Sequence, residues 1–275
     1  MNMKKTNKLL ALALLAGVLS PVFQSCTGKS PKKETAEAAE KAIAKEIEEY
    51  AYPLPSTFEV TNMLNSIEAS YIIDIANDPT KAESYFTENS KAVNLGIYTV
   101  DLAYATTYNQ KAEIQAYFTA CEQLVRDLDF TSAFNENLPD QIEENMDNKD
   151  KLVEIVTDMF QNAYSYLNKQ GRTELSYLVL TGSVVEGLYL TTHISENTFQ
   201  NPKIIEAILF QKEALAEMEK MMEPYKDSET VKEAYEAIKS INAIYAMEEG
   251  TTAMTETQVK QLTETVSSIR TAYVQ

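Results

Sequence analysis

Residues 92–108, AVNLGIYTVDLAYATTY, and residues 175–194, LSYLVLTGSVVEGLYLTTHI, decide how this chain folds. Each carries one charge, Asp101 in the first and Glu186 in the second, although 24% of the chain is charged. Neither alternates as a half-buried strand does. A helix apolar on most sides belongs at the centre of a bundle, surrounded by helices that each bring one apolar stripe. The second stretch is long enough to span a membrane. Its Thr181, Gly182, Ser183, Glu186, Gly187, Thr191, Thr192 and His193 argue instead for burial within protein. Gly96, Ala103 and Ala105 in one stretch, and Gly182 and Gly187 in the other, predict a close approach of neighbouring helices.

Outward from these two stretches the helical pattern continues. The chain has only 7 glycines and 8 prolines, and no alternating run bounded by turn signals stands out. Ser56-Thr57-Phe58-Glu59 has capping-box spacing and opens a helix expected to reach about Ala76. Asp78-Pro79 starts another, as a cap followed by proline in the first turn. Further helices are predicted at about 90–108, 111–128, 150–169, 173–194, 202–223, 228–248 and 256–273, with an irregular acidic connection at 129–148. The last helix places Val259, Leu262, Val266, Ile269 and Tyr273 on one seam. The expected fold class is all-α, a multi-helix bundle.

Two parts of the chain read alike. Val60-Thr61-Asn62-Met63-Leu64 resembles Val156-Thr157-Asp158-Met159-Phe160, and residues 100–108 resemble 185–193. Ile114-Gln115-Ala116-Tyr117-Phe118 likewise resembles Ile205-Glu206-Ala207-Ile208-Leu209. Order is preserved across all three matches, which predicts two related helical units, 56–128 and 150–223, with 228–273 closing the second. This alignment superposes Asp101 on Glu186.

The N-terminus is of a different kind. Lys4, Lys5 and Lys8 precede an apolar run, residues 9–19, LLALALLAGVL, too short to span a bilayer. The segment closes on Phe23-Gln24-Ser25-Cys26, which resembles a lipobox, the site at which bacterial lipoproteins are cleaved and lipidated on cysteine. Phe23 stands where the box prefers Leu, and Gln24 where it prefers a small residue. The resemblance implies a signal peptide over 1–25 and a lipid attached to Cys26. It also implies membrane association in the cell envelope, with the outer membrane and the periplasm as the expected location. Residues 27–33, TGKSPKK, predict a flexible tether. Residues 34–50 predict an alanine-rich stalk helix, ended by the two prolines of AYPLPS. Tether and stalk together cover 26–55, and the helical domain covers 56–275.

Charge and cysteine content exclude further classes. The net charge is −17, and loss of the lysine-bearing signal would make the chain more acidic still. Such a surface repels phosphate backbones, so nucleic acid is not an expected partner. Once Cys26 is lipidated, Cys121 has no partner for a disulfide within the chain. Its amphipathic setting, FTACEQLV, predicts a small buried residue rather than a nucleophile.

Asp101 and Glu186 are the residues on which chemistry would most readily centre. A buried carboxylate is costly unless hydrogen-bonded or paired. Tyr98 and Tyr104 flank Asp101 at helical spacing, and Tyr189 follows Glu186, so the tyrosines are the expected donors. Two readings follow: a tyrosine–carboxylate network that fixes helix register, or a polar pocket gripping a small ligand through Asp101, Glu186, Tyr104 and Tyr189. His193, the single histidine, makes His-x-x-Glu with Glu196, a candidate metal pair. These residues resemble the Gly-x-His-x-x-Glu signature of imelysin-like periplasmic proteins, themselves duplicated helical bundles, over six residues with Thr191 in place of Gly. Metal sites ordinarily take three or four ligands, and His193 near a helix end suits a structural role. No metalloprotease, serine-elbow, P-loop or dinucleotide motif is present. The absence of Trp leaves a sugar cleft without its usual platform. The expectation is a non-enzymatic binding or scaffold module without a cofactor, tethered to the membrane at Cys26. The alternative is a periplasmic metal- or small-ligand-binding protein using the buried carboxylates.

Overall fold

The computed structural model describes residues 69–134, 136–195, 198–246 and 253–275. Among the described residues there are eight α-helices and no strand. In chain order they are α1 (Glu88–Thr107), α2 (Lys111–Asp127), α3 (Leu138–Glu144), α4 (Lys149–Lys169), α5 (Thr173–His193), α6 (Pro202–Met222), α7 (Lys232–Ile244) and α8 (Glu256–Tyr273). The all-α bundle expected from periodicity is the fold observed. The signal segment, Cys26, the tether, the stalk helix and the capping box at Ser56 lie outside the described residues.

Helices α1 and α5 form the centre. Every residue of α1 from Ala92 to Thr107 is buried, as is most of α5 from Leu175 onward. Their mutual contact is the most extensive in the bundle; α2 and α4 also pack on α1, and α4, α6 and α8 on α5. The contact depends on two glycines. A Cβ on Gly96 would lie 2.0 Å from the Val179 carbonyl oxygen, and one on Gly182 would lie 1.9 Å from that of Val93. The approach is therefore reciprocal, backbone against backbone, as the small residues predict. Gly187 is different, because a Cβ there would meet nothing within 4 Å. Further along, Asp101 of α1 neighbours Glu186 of α5, so both chains advance past the crossing in the same direction and the two helices run parallel.

Local chemistry fixes the ends. Helices α1, α2 and α4 each stop with a residue at positive φ, namely Asn109 (52°), Asp129 (57°) and Gly171 (74°). Paired bonds such as Gln110 N to Ala105 O and Asn109 N to Thr106 O close these ends as Schellman motifs. Thr87 with Ser90 and Thr255 with Gln258 form capping boxes that open α1 and α8. The 129–148 connection is less irregular than the sequence suggests, because Pro139 sits in the first turn of α3 and starts a helix rather than breaking one.

One expectation fails in an informative way. The helix expected to reach Ala76 is not helical over its described part. Residues 69–72 are coil, and Ile73–Ile75 form a single 3-10 turn. Pro79–Ser84 is likewise 3-10 rather than α, though Asp78 caps it as predicted by accepting from Thr80 N. The reason is competition for the backbone: side chains of α1 and α8 take up the amides and carbonyls that a helix would have paired with one another.

Candidate functional site: a buried charge column

Asp101 and Glu186 lie side by side at the α1–α5 contact, both with no exposure to solvent. Their partners are not the tyrosines expected from helical spacing. Arg270, from α8, donates from Nε to Glu186 Oε2 at 2.6 Å and from Nη2 to Oε1 at 2.8 Å. This bidentate geometry is the strongest form of a guanidinium–carboxylate contact. The same Nη2 donates to the Ile75 carbonyl at 3.2 Å. The positive charge on Arg270 is stabilised by Glu186 against the cost of its own burial, and its pKa is raised.

Tyr189 serves the cation rather than the anion. Its ring lies 4.0 Å from the Arg270 guanidinium carbon and stacks on His193 at 4.1 Å between centroids. His193 Nδ1 is 2.8 Å from the Tyr189 carbonyl oxygen, which only an N–H can satisfy, so the proton resides on Nδ1. Nε2 lies 3.1 Å from Ser267 Oγ, whose own hydrogen goes to the Thr263 carbonyl at 2.6 Å. Burial lowers the His193 pKa, and the nearby Arg270 charge acts the same way. A half-buried imidazole with a polar neighbour at each nitrogen closes the column His193–Tyr189–Arg270–Glu186–Asp101. Glu196, its partner in the predicted His-x-x-Glu pair, lies outside the described residues. Among the described residues no group of three His, Cys, Asp or Glu side chains could hold a metal ion.

Asp101 is bound differently. Its Oδ2 accepts the Asn77 backbone N–H at 3.2 Å, while Oδ1 meets no donor. Burial first, and the adjacent Glu186 second, push its pKa well above the ordinary carboxylate range. Tyr98 and Tyr104 do not donate to it. The Tyr98 hydroxyl donates to the Asp78 carbonyl at 2.8 Å, and the Tyr104 hydroxyl accepts from the Ile72 N–H at 2.9 Å. Tyr104 also stacks on Tyr71 at 5.0 Å, and burial pushes its hydroxyl up to about 12.

The residue the sequence reading missed is Arg270. It lies four positions after Val266 and three before Tyr273 on the predicted seam of α8, and the chain has only three arginines. A lone cation in register with a buried seam, in a protein with two buried acids, was the available signal.

Two other features bear on chemistry. Cys121 is 1% exposed, its sulfur is 4.0 Å from Thr99 Oγ, and burial pushes its thiol up to about 12. Beside it, between α2, α3 and α4, lies a half-open cleft of about 530 Å³. Phe118, Val125, Phe134, Leu138 and Met159 form its apolar wall, and Glu122, Arg126 and Glu136 are among its polar groups. No helix among the described residues is long and apolar enough to cross a membrane. Comparison with known proteins gave no match, whether with protein-family models, curated proteins or solved structures.

Proposed function

We propose that this chain is a lipid-anchored protein of the bacterial cell envelope, held at Cys26, whose helical domain is a non-enzymatic binding or scaffold module. The observation that carries the non-enzymatic part is the internal engagement of the charge column. Glu186 gives both oxygens to Arg270, and His193 has a polar neighbour at each ring nitrogen. Groups so engaged serve as fasteners between α5 and α8, and a substrate would have to break those bonds to reach them. The anchor rests on the lysine-rich start, the short apolar run and the closing Ser25-Cys26. Its basic tether suits the surface of an anionic bilayer.

Replacing Cys26 with Ser tests the anchor. The wild-type protein should partition with membranes and into detergent, and the variant should be released in soluble form. A variant bound as firmly as the wild type overturns the anchor. Metal analysis of protein purified without chelator tests the module: stoichiometric metal would refute the scaffold reading and favour the metal-binding alternative. A small ligand finds room in the cleft beside Cys121, and that cleft is where soaked fragments should be sought first.

A further inference from the structure

The extended segment 71–78 is fastened to the bundle chiefly by side chains of other elements. The Ile72 amide donates to Tyr104, the Ile75 carbonyl accepts from Arg270, the Asn77 amide donates to Asp101, and the Asp78 carbonyl accepts from Tyr98. Within the segment there is one backbone bond, Ile75 N to Ile72 O at 3.4 Å. Two of these four backbone fasteners therefore belong to the Asp101–Glu186–Arg270 cluster.

That cluster does not balance with both acids ionised. Arg270 brings one positive charge and is already bidentate with Glu186. Asp101 Oδ1 is buried with no donor, and the acid that adjoins it is Glu186; a contact between two carboxyls becomes a hydrogen bond only if one of them carries a proton. Among the described residues, the other titratable groups facing Asp101 bring no positive charge. They are Tyr71 and Tyr85 from the N-terminal side, Tyr98 and Tyr104 from its own helix, and Tyr117 and Cys121 from α2. All six stay neutral, because burial raises every one of them.

We propose that segment 71–78 is a proton-held latch: Asp101, as a neutral acid donating to Glu186, keeps it closed, and loss of that proton opens it. A second negative charge in this buried site must be hydrated. Among the described residues that cover Asp101, only those N-terminal to α1 lie outside the α-helices of the bundle, so water enters where the segment lifts. The latch stands on the geometry of the cluster alone and does not depend on lipidation of Cys26.

The test is infrared spectroscopy together with amide exchange on the full folded chain. At neutral pH the wild type should show the carbonyl stretch of one protonated carboxyl, and Asp101→Asn should lack it. Asparagine mimics the protonated acid, since its amide can donate to Glu186 while its oxygen accepts from Asn77. Opening that releases one proton makes the protection of the Ile72 and Asn77 amides fall up to about tenfold per pH unit above the ordinary carboxylate range. Amides of α7, remote from the segment, serve as the reference. In Asp101→Asn the protection should be independent of pH. An equal fall in both proteins overturns the latch. So does the absence of a protonated-carboxyl band from the wild type at neutral pH, a result that needs no variant to fold.

Discussion

Gly96→Ala should destabilise the protein by at least about 2 kcal/mol, although alanine is the better helix former. The added methyl would lie 2.0 Å from the Val179 carbonyl oxygen and 2.8 Å from the Ser183 nitrogen, where ordinary contact begins at 3.4 Å. Both obstacles are backbone, so no rotamer change relieves them. The helices must part at their crossing by more than an ångström. A gap of that size forfeits about a quarter to a half of the dispersion energy between the facing atoms, along the most extensive contact in the bundle. Overpacking of this kind costs about 1–3 kcal/mol, sometimes more. The gain in helix propensity, about 1 kcal/mol, offsets only part of the combined cost. Gly187→Ala is the control on the same helix pair: its methyl meets nothing within 4 Å, so propensity should prevail and stabilise by a few tenths to about 1 kcal/mol. The double variant of Gly96 and Gly182 should cost less than the sum of its parts, because one separation relieves both clashes. Urea denaturation followed by circular dichroism reads the wild type, the three single variants (Gly96→Ala, Gly182→Ala and Gly187→Ala) and the double variant. A Gly96→Ala protein as stable as wild type, or a Gly187→Ala protein less stable than Gly96→Ala, would refute the reasoning.

Three further outcomes follow from the same geometry. Arg270→Met strands the Glu186 carboxylate and the Ile75 carbonyl, and should cost about 3–5 kcal/mol at neutral pH by denaturant titration; adding Glu186→Leu should recover much of it, and no recovery would mean that the loss was not electrostatic. The Asp101 pKa is raised on folding, so its contribution is fully present below the ordinary carboxylate pKa. It falls by up to about 1.4 kcal/mol per pH unit as pH rises toward the folded-state value. Asp101→Asn should flatten that part of the stability–pH curve, and an unchanged slope would assign the dependence elsewhere. Cys121, buried and with its thiol pushed up to about 12, should resist iodoacetamide at pH 8 until the protein unfolds; rapid labelling of native protein, followed by mass spectrometry, would contradict its burial.

The bundle was legible because its signals are local. The all-round apolar character of 92–108 and 175–194 and the seam of α8 each follow from spacing that a helix imposes on its own residues. The burial of Asp101 and Glu186 was legible for the same reason, since a lone acid inside an apolar helix has nowhere else to go. Their partners were not. Helical spacing offers neighbours three and four residues away, so Tyr98, Tyr104 and Tyr189 were the natural candidates. The actual donor to Glu186 comes from 84 residues away, and that to Asp101 from 24. The 69–78 stretch misled for the converse reason. Its composition permits a helix, but its backbone groups are claimed by Tyr104, Arg270, Asp101 and Tyr98, none of which lies within it. Tertiary hydrogen bonds of this kind leave no periodic mark in the sequence.

The unequal treatment of the two acids has a physical cause in the packing of the central pair. Asp101 follows Gly96 by five residues and Glu186 follows Gly182 by four, so in parallel helices crossing at the glycines both acids emerge about one turn beyond the crossing, facing each other. Two central helices that each place an acid there would bring two negative charges into contact within the core, and both cannot remain ionised. The conflict is resolved by elements that cover the two helices differently. Helix α8, which packs on α5 far more than on α1, supplies Arg270 to Glu186. No helix among the described residues brings a cation to Asp101, which receives the Asn77 amide and a proton instead. The asymmetry of the site thus follows from the asymmetry of what covers it. Moving the guanidinium to the other side should therefore exchange the roles of the two acids, with Glu186 then carrying the proton, and carboxyl-selective isotope labelling in the infrared would distinguish the two.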